Sequence, residues 1–344
     1  MTQNSQSAAT SFSPLLCVGR TDETVDATTF EFRKLDSTPF DYHAGQFITF
    51  QVDVADEQLH RAYSISSSPS NPDTVSVTIK RVEGGRVSNF LIDNLQPGHA
   101  LQAMPPAGEF TLEHCRASTQ LVLLSAGSGI TPCISIARWL LDTEQPVDIR
   151  FVYSARSTAD VIMAAGLNKL AETHDNFHLA LVLDQLDSDQ AYQGPLDKEL
   201  FDRLLPDLNG RTIFTCGPQG YMEAVEALAE GREFHMDLFH KESFDPAEPE
   251  PDVEAGAAEY QLTAAQFGKT AVIRDGETLL SVLEAAGVPV VGACRSGICG
   301  SCKCKVASGE VESSSQSTLT EDDIAAGYVL ACSSKVRSDL AVEL

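Results

Sequence analysis

Three cysteines near the C-terminus, Cys294, Cys299 and Cys302, stand at C-x4-C-x2-C spacing, and a fourth, Cys332, follows in the segment Tyr328-Val-Leu-Ala-Cys332. This is the ligand spacing of a two-iron, two-sulfide cluster, in which one tight loop supplies three thiolates and a distant segment supplies the fourth. Gly297 and Gly300 lie within the loop, where a bare backbone lets amides approach the cluster. A structural zinc site is the competing reading, but such sites favour C-x2-C pairs in both halves, and here the last ligand stands alone. A disulfide framework fits worse, because nine cysteines is an odd number and the chain is far longer than a stapled secreted domain. Cys304 lies just past the loop and reads as a buried thiol outside the ligand set. The expected metal ligands are therefore Cys294, Cys299, Cys302 and Cys332, and the domain that holds them is expected to carry single electrons.

At 344 residues the chain has room for two or three domains, each with its own core. No apolar run reaches membrane-spanning length, and the first residues lack the basic and apolar regions of a secretory signal. Together with reduced thiols and an iron–sulfur site, this predicts a cytoplasmic protein. The formal charge of −25, from 24 basic and 49 acidic residues, is spread along the chain. Nucleic acid and anionic membranes both require a basic face, so neither is an expected partner. The segment 245–256 holds three prolines and five acids with no aromatic residue, and reads as an extended, self-repelling linker. The expected division is a tail over 1–14, a flavin domain over 15–113, a nucleotide domain over 114–244, a linker over 245–258 and an iron–sulfur domain over 259–344.

Residues 15–113 alternate apolar and polar in short runs, such as 46–52 and 74–80, which predicts a small antiparallel barrel. Within it, Arg61-Ala-Tyr63-Ser64-Ile-Ser-Ser67 suits a flavin. Arg61 offers a fork of donors for phosphate, Tyr63 offers a flat face for the ring, and Ser64 places a hydroxyl near the reactive edge. Lys80 opens a second element, in which Gly84 and Gly85 precede a helix expected to begin at Ser88, an arrangement that cradles phosphate. From about residue 118 strands and helices alternate, as in a parallel α/β sheet, with strands at 121–124, 149–153, 178–183 and 212–216. The loop Gly127-Ser-Gly129-Ile-Thr131-Pro132 after the first strand is where a dinucleotide pyrophosphate is expected, although it is not the G-x-G-x-x-G fingerprint. Thr215-Cys216-Gly217-Pro218 ends a later strand at the same edge. Cys216 is placed either near a nicotinamide ring or simply in the core. Trp139 reads as core, and the histidines form no ligand spacing.

In this order the motifs resemble the ferredoxin–NADP reductase superfamily with a plant-type ferredoxin domain fused at the C-terminus. The chain is similar to the NADH oxidoreductases that serve hybrid-cluster proteins. It also resembles the reductase components of Rieske-type oxygenases that demethylate quaternary amines such as glycine betaine. The resemblance implies a β-grasp ferredoxin domain. It implies FAD, with FMN as the alternative, held by Arg61, Tyr63, Ser64, Ser67, Lys80, Gly85 and Ser88, and Phe244 in the segment Glu242-Ser243-Phe244, which resembles a family segment near the flavin. It implies NADH held by Gly127, Gly129, Thr131, Cys216 and Gly217, with Tyr63, Ser64 and Cys216 orienting hydride transfer. NADPH is the alternative nucleotide, because Arg156 follows the second sheet strand and is placed to meet a 2′-phosphate. The expected function is an electron-transfer reductase that passes electrons from NADH through FAD and a [2Fe–2S] cluster to a separate metalloprotein. Two other readings remain open: a stand-alone NAD(P)H oxidase or quinone reductase, and a redox-sensing iron–sulfur protein.

Overall fold

The structure is a computed structural model and describes residues 12–185, 191–244, 258–295, 297 and 299–344. Six strands make the first sheet: β1 (Ser13–Thr24), β2 (Ala27–Lys34), β3 (Phe47–Val54), β4 (Glu57–Ser64), β5 (Val75–Lys80) and β6 (Ala100–Ala103). They are antiparallel in the order β4-β3-β6-β1-β2-β5, and a bridge from Ile65 to Val77 closes the seam into a barrel. Alternation along the strands sends Phe30 and Phe32, Ile48 and Phe50, and Val75 and Val77 inward to one core. Helix α1 (Arg86–Asn94) plugs this core with Val87, Leu91 and Ile92. It begins two residues before the predicted Ser88. Gly85 is the residue before its first turn, while the Ser88 hydroxyl accepts from the Val82 amide at 3.4 Å and so tightens the preceding turn. Of the segment 1–14 read as a tail, Ser13 and Pro14 pair with Ala103 and Gln102 in the sheet, and residues 1–11 lie outside the described residues.

The second sheet contains β7 (Gln120–Ala126), β8 (Asp148–Ala155), β9 (Phe177–Leu183), β10 (Ala191–Gln193), β11 (Thr212–Cys216) and β12 (Phe239–Glu242). All its pairs are parallel, in the order β10-β9-β8-β7-β11-β12. Helices α2 (Ile130–Asp142), α3 (Ala164–Thr173), α4 (Lys198–Leu204) and α5 (Gln219–Glu230) cover the faces. The unbroken apolar run Leu121–Leu124 follows from burial on both sides. Leu121 and Leu123 pack with residues of α2, and Val122 and Leu124 with residues of α4 and α5. The edge strands β10 and β12 were not foreseen, because each is only a few residues long and borrows its order from its neighbour.

The third region contains β13 (Glu259–Ala264), β14 (Lys269–Arg274), β15 (Lys303–Ser308), β16 (Val311–Ser313), β17 (Tyr328–Leu330), β18 (Ser334–Val336) and β19 (Leu340–Glu343). A mixed five-stranded sheet, β14-β13-β19-β15-β17, packs against α6 (Leu279–Ala285), which is the expected β-grasp arrangement; a short helix, α7 (Glu321–Ala325), precedes β17. The predicted linker lies outside the described residues except for Ala258. Among the described residues no helix is long and apolar enough to cross a membrane.

Two contacts between the regions position the site. Ser135 and Arg138 on α2 donate to the carbonyls of Ser67 and Ser66 at 2.7 and 2.9 Å, fixing the parallel sheet to the barrel seam. Ala293, Cys294 and Cys299 pack against Phe47, Ala62 and Ala107 of the barrel.

Candidate active site

The flavin expectation converges on one cavity of about 360 Å³. It is lined by Arg61, Tyr63 and Ser64 from β4, Lys80, Gly85 and Ser88 from the second element, Thr131 from α2, and Phe244. The set fits a flavin dinucleotide. Tyr63 and Phe244 offer aromatic faces, the arginine and lysine heads offer phosphate donors, and Gly85 keeps the turn tight. A Cβ on Gly85 would come within 2.7 Å of the Ser88 hydroxyl. Burial raises the Tyr63 phenol well above its ordinary range, so it stays protonated and keeps a donor. Ser67 is the exception. Its hydroxyl accepts from the Ser76 amide at 2.9 Å and meets the Tyr42 hydroxyl at 3.0 Å, which places it in the barrel seam rather than in the cavity wall.

A second cleft, of about 640 Å³, runs along the C-terminal edge of the parallel sheet and shares Lys80 and Ser128 with the flavin cavity. Its glycines divide the work. Gly127 has φ +55° and open space where a Cβ would point, so its backbone is bare toward the cleft. Gly129 is buried, and its Cβ would lie 2.2 Å from the Cys216 carbonyl oxygen. Gly217 likewise faces the Tyr221 ring and Ala126. Thus Gly127 is shaped for ligand approach, whereas Gly129 lets α2 dock on β11 and Gly217 lets Tyr221 of α5 pack beside Ala126 of β7. Thr131 donates to the Ser128 carbonyl at 3.0 Å and braces the loop between the two cavities. Cys216 is fully buried in the α/β core and lines neither cavity.

The structure gives a specific place to the carboxyl of the Glu242-Ser243-Phe244 segment, which the family resemblance puts near the flavin. Glu242, the last residue of β12, is buried, and the Ser64 hydroxyl donates to its Oε2 at 3.2 Å. Burial pushes its pKa up to about 8, against the opposing pull of that hydrogen bond. A carboxyl that holds its proton at neutral pH beside Ser64 would be placed to exchange a proton with a flavin bound in this cavity. Its sequence signal is the resemblance of Glu242-Ser243-Phe244 to a family segment near the flavin, which by itself gives the carboxyl no role.

The four predicted cysteine ligands come together. The Cys294 thiol lies against those of Cys299 and Cys332, and Cys332 against Cys302. The Gly297 amide donates to Cys332 Sγ at 3.1 Å, and the Cys332 amide to Cys302 Sγ at 3.4 Å. Contact with Cys294, followed by burial, raises the Cys299 thiol. Contacts with Cys294 and Cys302 raise Cys332, and donation from Cys332 lowers Cys302. Buried thiols crowded in this way resist ionising together unless cationic iron lies among them, so the donor set fits an iron–sulfur cluster. The loop glycines have positive φ, +77° at Gly297 and +72° at Gly300. Their missing side chains also make room for neighbours, since a Cβ on Gly297 would meet Ser315 and Ser333 within 3 Å. Cys304 is buried in the domain core beyond the loop, and burial raises its thiol to about 12.

A smaller cavity of about 180 Å³ joins the two redox sites. It is lined by Phe47, Ser64, Glu242, Phe244, Ala293 and Cys294, among others. Its lining therefore combines residues expected at the flavin with the expected cluster ligand Cys294. This geometry defines an oxidoreductase with flavin, nucleotide and iron–sulfur sites set side by side. Family models agree region by region: an oxidoreductase FAD-binding domain matches residues 17–112, an oxidoreductase NAD-binding domain 123–227, and a 2Fe-2S iron-sulfur cluster binding domain 262–337. The chain belongs to the ferredoxin–NADP-reductase-type family of reductases with a C-terminal 2Fe-2S domain. It is 38% identical to the glycine betaine monooxygenase reductase subunit of Pseudomonas aeruginosa, over 95% of this chain and 94% of that one. It is 38% identical to the NADH oxidoreductase HCR of Escherichia coli, over 94% of each. It is 32% identical to the stachydrine N-demethylase reductase subunit Stc4 of Rhizobium meliloti, over 96% of each. In fold it matches phthalate dioxygenase reductase with a TM-score of 0.64 at 24% identity, over 97% of this chain and 98% of that one. The protein is thus an FAD-, NAD- and 2Fe-2S-dependent oxidoreductase that moves electrons from NADH through FAD and the cluster to a partner.

Proposed function

We propose that the partner is a separate oxygenase of the Rieske type that demethylates a quaternary amine such as glycine betaine. The electron exit that this reading needs is supported by the small cavity that Cys294 lines together with Ser64 and Phe244. The relatives that match nearly the whole chain include reductase subunits of a glycine betaine monooxygenase and of a stachydrine N-demethylase, which favours an amine oxygenase. A hybrid-cluster protein is the second reading, favoured by the equal identity to the HCR oxidoreductase.

When bound, FAD accepts a hydride and yields single electrons, and the [2Fe–2S] cluster carries one electron at a time. The residues divide the remaining tasks. Tyr63 and Phe244 would hold the flavin ring, and Arg61, Gly85 and Ser88 its phosphates. Ser64 with Glu242 would handle the proton at the ring edge. Gly127, with Thr131 bracing its loop, would seat the nucleotide pyrophosphate. Cys294, Cys299, Cys302 and Cys332 would ligate the cluster. The domain boundaries belong to the same proposal: flavin over 15–113, nucleotide over 114–244, a linker over 245–258 and iron–sulfur over 259–344. The test is reconstitution. Purified protein and NADH are mixed with a quaternary-amine oxygenase or with a hybrid-cluster protein, and product formation is compared. Demethylation of glycine betaine coupled to NADH use is the expected result. Turnover with the hybrid-cluster protein alone would favour the second reading. Turnover with neither, alongside rapid reduction of oxygen or quinone, would overturn the reductase role proposed here.

A further inference from the structure

Glu242 stands between two cavities. It shares the small cavity with Ser64, Phe244 and Cys294. It also lines a separate cleft of about 340 Å³, with Glu109, Phe110, Cys115 and His240. This cleft has no residue in common with the flavin cavity or the nucleotide cleft.

Strand β12 makes the arrangement. It is the edge of the parallel sheet, and alternation places His240 and Glu242 on one face of it, opposite Phe214 and Cys216 of β11. The His240 ring lies 5.3 Å from the Phe214 ring. It bonds the Cys115 backbone, while its Nε2 is buried with no partner among the described residues. Burial holds His240 below its ordinary range, against the pull of that backbone bond, so the ring is neutral at neutral pH and keeps a lone pair. Farther out, Glu109 Oε2 lies 3.4 Å from His114 Nε2, and the His114 side chain is 59% exposed. The remaining titrating groups of the cleft are not free to exchange. Burial pushes the Cys115 thiol up to about 11, and the Lys241 ammonium is held by Glu226 at 2.7 Å. The cleft therefore grades from the buried Glu242 through His240 and Glu109 to a surface histidine, with room for bridging water between them.

Oxidation of NADH to NAD⁺ yields two electrons and one proton. The cluster takes electrons alone, so one proton per NADH must return from the flavin site to solvent. With flavin and nucleotide bound, their two cavities would be filled, and the remaining cleft is the side of Glu242 left to water. We propose that the proton leaves Glu242 through this cleft, with His240 Nε2 receiving it by way of bridging water and passing it to Glu109 and His114 at the surface. This outlet rests on the reading that Ser64 and Glu242 handle the proton at the ring edge, and it names where that proton goes.

The experiment follows the proton apart from turnover. The oxidised, flavin-loaded full-length protein is mixed rapidly into D₂O, and the infrared band of the protonated Glu242 carboxyl, identified by its loss in Glu242→Gln, reports exchange. His240→Phe keeps a ring against Phe214 and removes both nitrogens. It should slow exchange by about ten-fold or more while flavin content stays unchanged. Added imidazole should restore fast exchange in His240→Ala, which a merely structural role for the ring would not produce. Cys115→Leu, which narrows the cleft from the opposite wall and leaves the ring in place, should slow exchange as well and keeps the test available if the His240 variants fail to fold. Exchange as fast as wild type in the folded variants would overturn the outlet and leave the Ser64–Glu242 reading standing. Absence from the wild type of any band that Glu242→Gln removes would overturn both.

Discussion

Replacing Glu242 with glutamine removes a buried titrating group while keeping its shape and one oxygen acceptor for Ser64. The carboxyl rises from 4.5 in the ordinary state to about 8 in the folded protein. The folded state therefore binds more protons than the unfolded one between those two values, and the contribution of Glu242 to stability falls as pH rises through that window. At about 1.4 kcal/mol per pKa unit the span is on the order of 5 kcal/mol, fully present as a penalty above pH 8 and absent below pH 4.5. Glu242→Gln should cancel this dependence, so the variant should gain stability over the wild type as pH increases. The difference between the two thermal-midpoint profiles isolates Glu242, because the other titrating groups are common to both. Infrared difference spectroscopy provides a second readout. A protonated-carboxyl band present in the wild type at pH 7 should vanish in the variant and should titrate near pH 8. Parallel stability profiles, or a band that titrates in the ordinary carboxylate range, would refute the assignment of a protonated carboxyl beside Ser64.

The cysteine set gives a sharper contrast. Serine at Cys294, Cys299, Cys302 or Cys332 should in each case abolish the visible and paramagnetic signature of the cluster, whereas Cys304→Ser should retain about two irons per chain; metal analysis and electron paramagnetic resonance check both halves. Gly129→Ala should cost a few kcal/mol and lower the melting temperature by several degrees, because its Cβ would fall 2.2 Å from the Cys216 carbonyl where α2 docks on β11. Gly127→Ala should keep the docking but weaken nucleotide binding, since its Cβ would point into the cleft.

Local pattern carried most of the architecture. The cluster ligands were legible because three of the four lie within nine residues, and a metal site of this kind fixes its spacing by bond geometry. Barrel and parallel sheet were legible from period: alternation where one face is buried, as in β3 and β5, and an unbroken apolar run where both are, as in β7. Arg61, Tyr63, Ser64, Lys80, Gly85 and Ser88 were legible as a group because each carries its chemistry in its own side chain or turn. Other assignments needed the third dimension. Ser67 shares a motif with Ser64, yet strand closure at the barrel seam uses its hydroxyl for the Ser76 amide. Gly129 and Gly217 look like ligand glycines in sequence, but close helix–strand packing is what forbids their side chains. Arg156 reads as a phosphate donor from its place after β8, and only the fold brings Asp26 and Asp160 beside it.

Which cofactors the chain can hold, and the order of their domains, can be read along the chain, because thiol spacing, glycine turns and hydrophobic period are set by neighbouring residues. How those sites communicate depends on contacts between distant segments. Ser64 and Glu242 are 178 residues apart in sequence and one hydrogen bond apart in space. Cys294 shares a cavity wall with both. Burial creates the relevant chemistry: a glutamate becomes a proton-holding group only when distant segments exclude water from around it.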